Sequence, residues 1–275
     1  LKIVGRKKEM GKIVFSDIDG TLLNSKHEIT QLTLIAIKKL KEQKIPFVIT
    51  SSRSPSCIYP ILDEYKFNVP IIAYSGALIM NENRDILFHK GFDKEKARKI
   101  IMFIEENCFD LVWGIYSFDQ WIVKDKSDKR VIREENIVKV QAMQGNLDSI
   151  DKNEIHKILC ICNPNQILEI EQKLKETFFD CSIVKSSDIL LEIMADGISK
   201  ATAVNRLCKQ WNIALDDTIA FGDNYNDVEM LKTVHYGYLM DNAPEKLKRE
   251  MSLHTLDNDH DGIYDALLKQ NIISK

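Results

Sequence analysis

The sequence predicts an α/β fold, in which a parallel sheet carries helices on both faces and a second α/β segment is inserted into the chain. Two observations lead to this prediction. Short apolar runs typical of buried strands alternate with amphipathic helical segments at the spacing of βαβ units. This alternation stops near residue 80 and resumes at residue 189, so we interpret the segment between these points as an insertion.

The first part of the chain contains three apolar runs that each end in polar residues. These runs predict strands at residues 13–15, 47–49 and 69–74. Residues 31–44 predict a helix, because their apolar side chains recur on one face and lysines occupy the other. A second helix is predicted over residues 55–65, where Ser54 is a suitable N-cap and proline stands at the first helical position.

The inserted segment follows a different pattern, in which hairpins replace βαβ units and no strand ends in acidic residues. Strands are predicted at residues 77–80, 85–88, 111–118, 121–124 and 155–162, and helices at residues 93–107 and 164–178. Buried-strand patterns then resume at residues 190–194, 218–221 and 236–240, with helices at residues 200–211, at residues 227–232 and from residue 262. We therefore predict a core domain formed by residues 1–83 and 189–275, with an inserted domain at residues 84–188.

Composition and charge limit the possible functions. The chain has 275 residues, of which 44% are hydrophobic and 29% charged, and a net charge of −3, so no basic field suggests a nucleic acid partner. No apolar run is long enough to span a membrane.

Six dispersed cysteines without a signal peptide favour a cytoplasmic location. Residues 1–10 begin with Leu, and we expect them to be an added or disordered lead, with Met10 a candidate start.

Two acids stand at the end of the first predicted strand. Asp17 and Asp19 follow an apolar run directly, and Gly20 permits a tight turn after them. Ligands of parallel sheets bind outside the carboxyl ends of the strands. Two carboxylates placed so close together would repel each other, and therefore require a cation or a shared proton. The alternative is an ordinary strand-ending turn, in which Asp and Gly are common.

Other polar residues also stand at the ends of predicted strands or at the starts of predicted helices. Ser51 and Ser52 end the second strand, Lys200 begins a helix, and Asp223 and Asp227 follow a later strand. A lysine at a helix start is suited to a bound phosphate, although an exposed lysine is a common alternative. Asp227 has a second interpretation as simple helix-start chemistry. Hard oxygen ligands of this kind suit Mg²⁺, which binds carboxylates together with substrate phosphate.

The order and context of these segments resemble the haloacid dehalogenase superfamily of aspartyl phosphotransferases. Residues 17–21 resemble its first motif, Ser51 its second, Lys200 its third and residues 222–227 its fourth. Residues 240–243 and 261–262 resemble the end of the Cof-type subfamily. That resemblance implies a Rossmann-like core and an inserted cap of the C2B type between the second and third motifs, where the insertion was also found from the pattern. It covers essentially the whole chain.

The sequence departs from the family pattern at three places. Residues 51–53 read Ser-Ser-Arg where relatives usually have Thr-Gly-Arg, and residues 75–77 read Ser-Gly-Ala where Cof-type members often have Asn-Gly-Ala. Residues 240–243 read Met-Asp-Asn-Ala in place of Met-Gly-Asn-Ala. None of these changes removes a catalytic group, and all of them could alter substrate preference.

The resemblance implies roles for the acids. Asp17 would be the nucleophile that attacks phosphorus and forms an aspartyl phosphate. Asp19 would protonate the leaving oxygen and later deprotonate the attacking water. Mg²⁺ would be held by Asp17, Asp223 and the main-chain carbonyl of Asp19. Asp227 would orient the surroundings of the metal.

The resemblance also implies how the substrate is bound. Ser51, the amide of Ser52 and Lys200 would hold the phosphoryl oxygens, and Asn226 would hydrogen-bond phosphate or substrate. The expected function is a Mg²⁺-dependent phosphatase of small phosphorylated metabolites, such as sugar phosphates or the cofactor phosphates PLP and FMN, acting as a monomer or homodimer. Two alternatives remain, a hexose-phosphate mutase of the same superfamily and a non-catalytic phosphometabolite-binding protein.

Overall fold

The structure is a computed structural model that describes residues 12–274, so the lead predicted at residues 1–10 lies outside the described residues. Within that range the chain forms thirteen strands in two sheets. The strands are β1 Ile13–Ser16, β2 Phe47–Thr50, β3 Ile71–Ala73, β4 Leu78–Met80, β5 Ile86–His89, β6 Leu111–Ser117, β7 Gln120–Val123, β8 Met143–Gln144, β9 Lys157–Cys162, β10 Cys181–Lys185, β11 Leu190–Ala195, β12 Thr218–Gly222 and β13 Tyr236–Leu239.

The same residues form nine α-helices, most of them at predicted positions. The helices are α1 Gln31–Glu42, α2 Pro55–Glu64, α3 Lys94–Glu106, α4 Lys129–Val138, α5 Ile167–Thr177, α6 Lys200–Trp211, α7 Val228–Thr233, α8 Glu245–Glu250 and α9 Gly262–Lys269. Several begin at side-chain caps, since Thr30, Asp93 and Ser199 each accept a hydrogen bond from a main-chain N–H of the first helical turn.

The first sheet has seven strands in the order β13-β12-β1-β2-β3-β4-β5. Strands β13 to β3 are parallel, and β4 and β5 add an antiparallel edge. Strand β1 lies in the middle, where Val14 faces the side covered by α1, α2 and α9, while Ile13 and Phe15 face α6, α7 and α8. The α/β fold with helices on both faces is therefore confirmed, and the acidic end of β1 opens at the centre of the sheet.

The second sheet has six strands in the order β10-β11-β9-β6-β7-β8. All its neighbouring strands are antiparallel except β7 and β8. Helices α3 and α5 pack on one face, around Ile115 and Ile158. Helix α4 packs on the other face. This face shares a hydrophobic cluster with the first sheet, and the cluster contains Tyr74, Tyr116 and Trp121.

Two strands lie in a different sheet from the one predicted. Strand β5 pairs with β4 in the first sheet, and β11 pairs with β9 and β10 in the second. The composition of a short apolar run does not indicate which strands it pairs with, because a strand buried on both faces has the same composition in either sheet. The boundaries at residues 83/84 and 188/189 stay a prediction, and this pairing supports different ones. We propose that residues 12–90 and 197–274 form a core lobe and residues 91–196 a cap lobe, and these names are used below.

The sequence analysis missed helices α4 and α8 and strands β8 and β10, of which all but α8 belong to the cap lobe. Helix α4 is rich in charged residues, and its buried positions are Val131, Glu134 and Val138. A stripe with a carboxylate in its middle lacks the apolar periodicity from which helices are recognised. Among residues 12–274, none of the helices has the length and apolar character that a membrane span requires.

A histidine from the cap lobe is buried where the two lobes meet. His156 has no exposed surface, and its Nδ1 atom accepts a hydrogen bond of 3.1 Å from the main-chain N–H of Phe118. The neutral ring therefore carries its proton on Nε2, which has no partner among the described residues. Burial lowers the pKa of His156 to about 4, with a smaller contribution from His89 in the same direction.

Replacing Ile49 by Ala should lower the free energy of unfolding by about 2–5 kcal/mol, because Ile49 is completely buried in β2 and its loss leaves a cavity. Ile86 of the edge strand β5 is 47% exposed and provides a matched control, for which Ile86→Ala should change stability by less than about 0.5 kcal/mol. Urea unfolding of both variants tests this. Equal losses would contradict the assignment of β2 to the centre of the sheet.

His156 should make the protein sensitive to acid. Its pKa is about 4 in the folded protein and near 6.5 when unfolded, so below pH 6.5 the unfolded chain binds more protons. Stability should fall by up to about 3 kcal/mol as the pH decreases from 6.5 to 4. His156→Asn keeps an acceptor for the Phe118 N–H and should flatten this part of the profile, whereas the control His27→Asn, at an exposed position, should not. Parallel unfolding profiles in all three proteins would refute the prediction.

Candidate active site

The end of strand β1 delivers Asp17 to the centre of the carboxyl edge of the first sheet. The Asp17 N–H donates to the Phe221 carbonyl at 3.0 Å, and the residue is only 6% exposed. Gly20 turns the chain with a φ of +79°, and a Cβ atom there would lie 2.3 Å from Oδ2 of Asp223. Only glycine satisfies both the backbone conformation and this close approach. The turn therefore brings the first and fourth motifs together.

Lys200 is buried between two carboxylates. Its Nζ atom donates to Oδ1 of Asp17 and to Oδ1 of Asp227, both at 2.6 Å, and its side chain is 1% exposed. Ser199 caps the start of α6 immediately before it. This ammonium thus joins three segments that are far apart in sequence, and it is held by acids rather than exposed at the helix start.

Both carboxylate oxygens of Asp227 accept hydrogen bonds. Oδ1 binds Lys200, and Oδ2 accepts hydrogen bonds of 3.1 Å from the main-chain N–H groups of Asp223 and Asn224. Oδ1 of Asp223 accepts a hydrogen bond of 3.0 Å from the hydroxyl of Thr21. Asp227 therefore shapes the loop that presents Asp223, which supports the orienting role expected for it.

The buried carboxylates raise one another's pKa. Burial raises the pKa of Asp17 well above its usual range; Lys200 opposes this shift, and the charges of Asp227, Asp223 and Asp19 add to it. Burial and Asp227 raise the pKa of Asp223 to about 7. The pKa of Lys200 is raised by Asp17 and Asp227 although burial acts in the opposite direction. The site therefore has an excess of negative charge.

This acidic group has the chemistry of a metal site. Carboxylate oxygens of Asp17, Asp223 and Asp227 lie within 4.8 Å of one another. Three carboxylates against one ammonium leave two negative charges when all are ionised, which a divalent cation would balance. Oxygen ligands of this type suit Mg²⁺. Because both oxygens of Asp227 are already bonded, Asp17 and Asp223 are the carboxylates available to a metal ion.

Asp19 and Arg53 form a pair at the edge of the site. Arg53 donates from Nε to Oδ2 of Asp19 at 2.7 Å and from Nη2 to Oδ1 at 2.6 Å. The Asp19 side chain is 48% exposed, whereas that of Arg53 is 8% exposed. The carboxylate of Asp19 thus lies apart from the three buried acids and faces the space where a substrate would bind. The sequence analysis did not assign Arg53 to the site, although it directly follows the two predicted serines.

The loop after β2 places Ser51 and Ser52 beside this pair. The Ser51 hydroxyl accepts a hydrogen bond of 3.2 Å from the Arg53 N–H and is buried. The Ser52 carbonyl accepts a hydrogen bond of 2.7 Å from Nζ of Lys157, which belongs to strand β9 of the cap lobe. The cap lobe therefore contacts the loop that was predicted to bind phosphate.

A cavity of about 320 Å³ opens onto these residues between the two lobes. The core lobe contributes six lining residues, namely Asp17, Asp19, Ser52, Arg53, Asn224 and Asn226. The cap lobe contributes residues of α4, with Glu134 among them, and residues 186–190. All the predicted site residues thus lie in or next to one cavity. The lining residues of α4 were missed because the sequence analysis assigned no element to residues 125–154.

The comparisons with known proteins agree with this arrangement. A family model described as haloacid dehalogenase-like hydrolase matches residues 14–267. A Haemophilus influenzae protein provisionally named a phosphatase is 35% identical over 254 residues, which cover 92% of this chain and 96% of that protein. An HMP-PP phosphatase of Klebsiella pneumoniae is 26% identical and covers 88% of each chain.

A solved structure shows the same fold. It is a haloacid dehalogenase-like hydrolase from Bacteroides thetaiotaomicron with a TM-score of 0.83 and 26% identity, and the match covers 94% of this chain and 99% of that one. The resemblance found in the sequence is therefore confirmed. The family model, the relatives and the shared fold show that this chain belongs to the haloacid dehalogenase-like hydrolases and is a phosphatase.

Proposed function

We propose that this phosphatase hydrolyses small phosphorylated metabolites with Mg²⁺, through a phosphorylated Asp17. The observation that carries the proposal is the position of Asp17, which Lys200 holds at the floor of a cavity that a second acid, Asp19, also lines. An acceptor for the phosphoryl group and a group for proton transfer are thus present in one enclosed site.

In the first step an oxygen of Asp17 forms a bond to phosphorus while the bond from phosphorus to the ester oxygen breaks. Asp19 gives its proton to that oxygen, and the alcohol leaves. In the second step water attacks phosphorus, Asp19 takes the proton of the water, and the bond to Asp17 breaks to release phosphate. The two hydrogen bonds from Arg53 use one lone pair on each oxygen of Asp19, which leaves the others for the substrate or water.

Other groups of the chain would hold the phosphoryl oxygens. Ser51, the main-chain N–H of Ser52 and Asn226 are placed around the cavity, and Lys200 supplies positive charge beside Asp17. The cavity is small and the cap lobe forms one side of it, which restricts the access of solvent to the substrate.

The proposed metal ligands are Asp17, Asp223 and the main-chain carbonyl of Asp19. Their support is the donor set, since hard oxygen atoms and an excess of two negative charges suit a divalent cation. When bound, Mg²⁺ supplies positive charge that stabilises the phosphoryl group in the transition state. Asp227 keeps its expected role of orienting Asp223 through the main chain.

The size of the cavity supports a small substrate. The Klebsiella pneumoniae relative is named an HMP-PP phosphatase. Sugar phosphates and cofactor phosphates such as PLP or FMN therefore remain the proposed classes. All six cysteines are free, which supports the proposed cytoplasmic location. A monomer or homodimer remains the prediction for the assembly.

Asp17→Asn should lower phosphate release by about 10³-fold or more, because it removes the proposed nucleophile and keeps the size of the side chain. The assay is a panel of sugar, nucleotide and cofactor phosphates with Mg²⁺ or with EDTA, and EDTA should abolish activity of the wild type. Asp63→Asn, at an exposed aspartate, is the control and should retain full activity. Equal rates in the two variants would refute a role for Asp17 as nucleophile, and isomerised products without phosphate release would favour a mutase.

Asp223→Asn should weaken Mg²⁺ binding without lowering the stability of the metal-free protein. The substitution removes one buried negative charge and keeps an acceptor for Thr21, so the metal-free variant should unfold at the same temperature as the wild type or a few degrees above it. Mg²⁺ should raise the unfolding temperature of the wild type, and the variant should need at least about tenfold more Mg²⁺ for the same increase. A thermal unfolding series with increasing Mg²⁺ tests this, and identical Mg²⁺ responses would contradict the ligand assignment.

A further inference from the structure

Helix α4 of the cap lobe carries a carboxylate at a position where packing requires an apolar side chain. Val131, Glu134 and Val138 are spaced by three and four residues, so they share one face of the helix, and all three are buried. Glu134 is only 9% exposed. A glutamate in the middle of a buried stripe contributes no apolar contact there, which points to a function other than packing.

The carboxylate of Glu134 is directed at the active site and has no partner there. It lines the cavity together with Asp17, Asp19 and Arg53. Among residues 12–274, no hydrogen bond and no ion pair within 4 Å involves its side chain oxygens, although its neighbours on the helix are engaged in such contacts. Its oxygens reach the cavity rather than being sealed inside the protein, so a bound molecule can replace water as their donor.

The charges around Glu134 do not provide that donor. The charges of Lys157 and Arg53 act on Glu134 in one direction and those of Asp19 and Glu192 in the other, and Arg133, the preceding residue of α4, lines the same cavity without bonding to Glu134. Lys157 and Arg53 are already engaged, Lys157 with the Ser52 carbonyl and Arg53 with Asp19. Burial raises the pKa of Glu134, and the two cations act in the opposite direction.

We propose that Glu134 accepts hydrogen bonds from hydroxyl or amino groups on the leaving group of the substrate, and that it thereby selects phosphate esters that carry such donors close to the ester oxygen. The inference rests on the proposed function, in which the phosphoryl group lies at Asp17 and the rest of the substrate extends toward the cap lobe. A carboxylate at this point favours polyhydroxylated or amino-bearing leaving groups. Glu134 acts on binding and orientation rather than on the reacting atoms.

The test compares substrates with and without donors. One substrate is the sugar or amino-sugar phosphate that the wild type hydrolyses with the highest kcat/KM, and the other is phenyl phosphate, whose leaving group carries no donor beside the ester oxygen. The ratio of wild-type to variant kcat/KM for each substrate cancels their different chemical reactivity. Glu134→Ala should lower kcat/KM by about 10- to 100-fold for the sugar phosphate, the cost of one hydrogen bond to a charged group, and by less than about twofold for phenyl phosphate.

Two further variants sharpen the result. Glu134→Gln keeps the shape and one acceptor oxygen but removes the charge, so glucosamine 1-phosphate, whose amino group adjoins the ester-bearing carbon, should lose more activity than glucose 1-phosphate if the donor is an ammonium group, and both should lose equally if it is a hydroxyl. Glu106→Ala, at an exposed position of α3, is the matched control and should leave both substrates unchanged. Thermal unfolding should show Glu134→Ala to be as stable as the wild type, because the lost carboxylate had no partner.

The outcomes separate this inference from the proposed function. Equal losses on both substrates would assign Glu134 a structural role and overturn the inference, and so would hydrolysis of phenyl phosphate without hydrolysis of any sugar or amino-sugar phosphate. Failure of the wild type on every ester, with phenyl phosphate included, would overturn the proposed function and the role of Glu134 with it. A selective loss on the donor-bearing ester supports both.

Discussion

The site depends on one buried ammonium group. Lys200 lies between Asp17 and Asp227, and with almost no exposure to water it has lost most of its hydration. Such a group is favourable only when the geometry of its partners is good, and removal of one partner leaves an uncompensated charge. The ends of β1 and β12 and the start of α6 must therefore meet at fixed positions. The parallel sheet provides this, because it brings the ends of β1 and β12 side by side.

The cap lobe completes the cavity through polar contacts with the loops of the core lobe. Lys157 donates to the Ser52 carbonyl and lies over the rings of Tyr74 and Tyr116. Glu192 lies 3.6 Å from Lys157 and accepts a hydrogen bond of 3.3 Å from the Ser75 hydroxyl. Ser52 and Ser75 are two of the positions where the chain departs from the family pattern. These departures therefore lie at the contact between the lobes, and not among the acids that surround Lys200.

The two lobes divide the chemistry between them. The core lobe holds the acids, the lysine and the hydroxyl groups that suit a phosphoryl group and a cation, all at strand ends or helix starts. The cap lobe contributes residues of α4, with Glu134 among them, and Ser186, Ser187, Ile189 and Leu190 to the same cavity. Under the proposed function, a change of side chain on α4 would alter the preferred leaving group without disturbing the charge balance around Lys200.

The sequence alone determined the α/β class, most helices and strands, and most of the polar residues that the structure brings together at one cavity. These follow from local rules, since apolar runs mark buried strands and polar groups at their ends mark the ligand edge of a parallel sheet. Tertiary structure decided the rest. It placed β5 and β11 in sheets that their composition does not specify, it paired Arg53 with Asp19, and it stabilised α4 by packing rather than by its own periodicity. The role of Glu134 depends on groups distant in sequence, and only the folded chain brings those groups together.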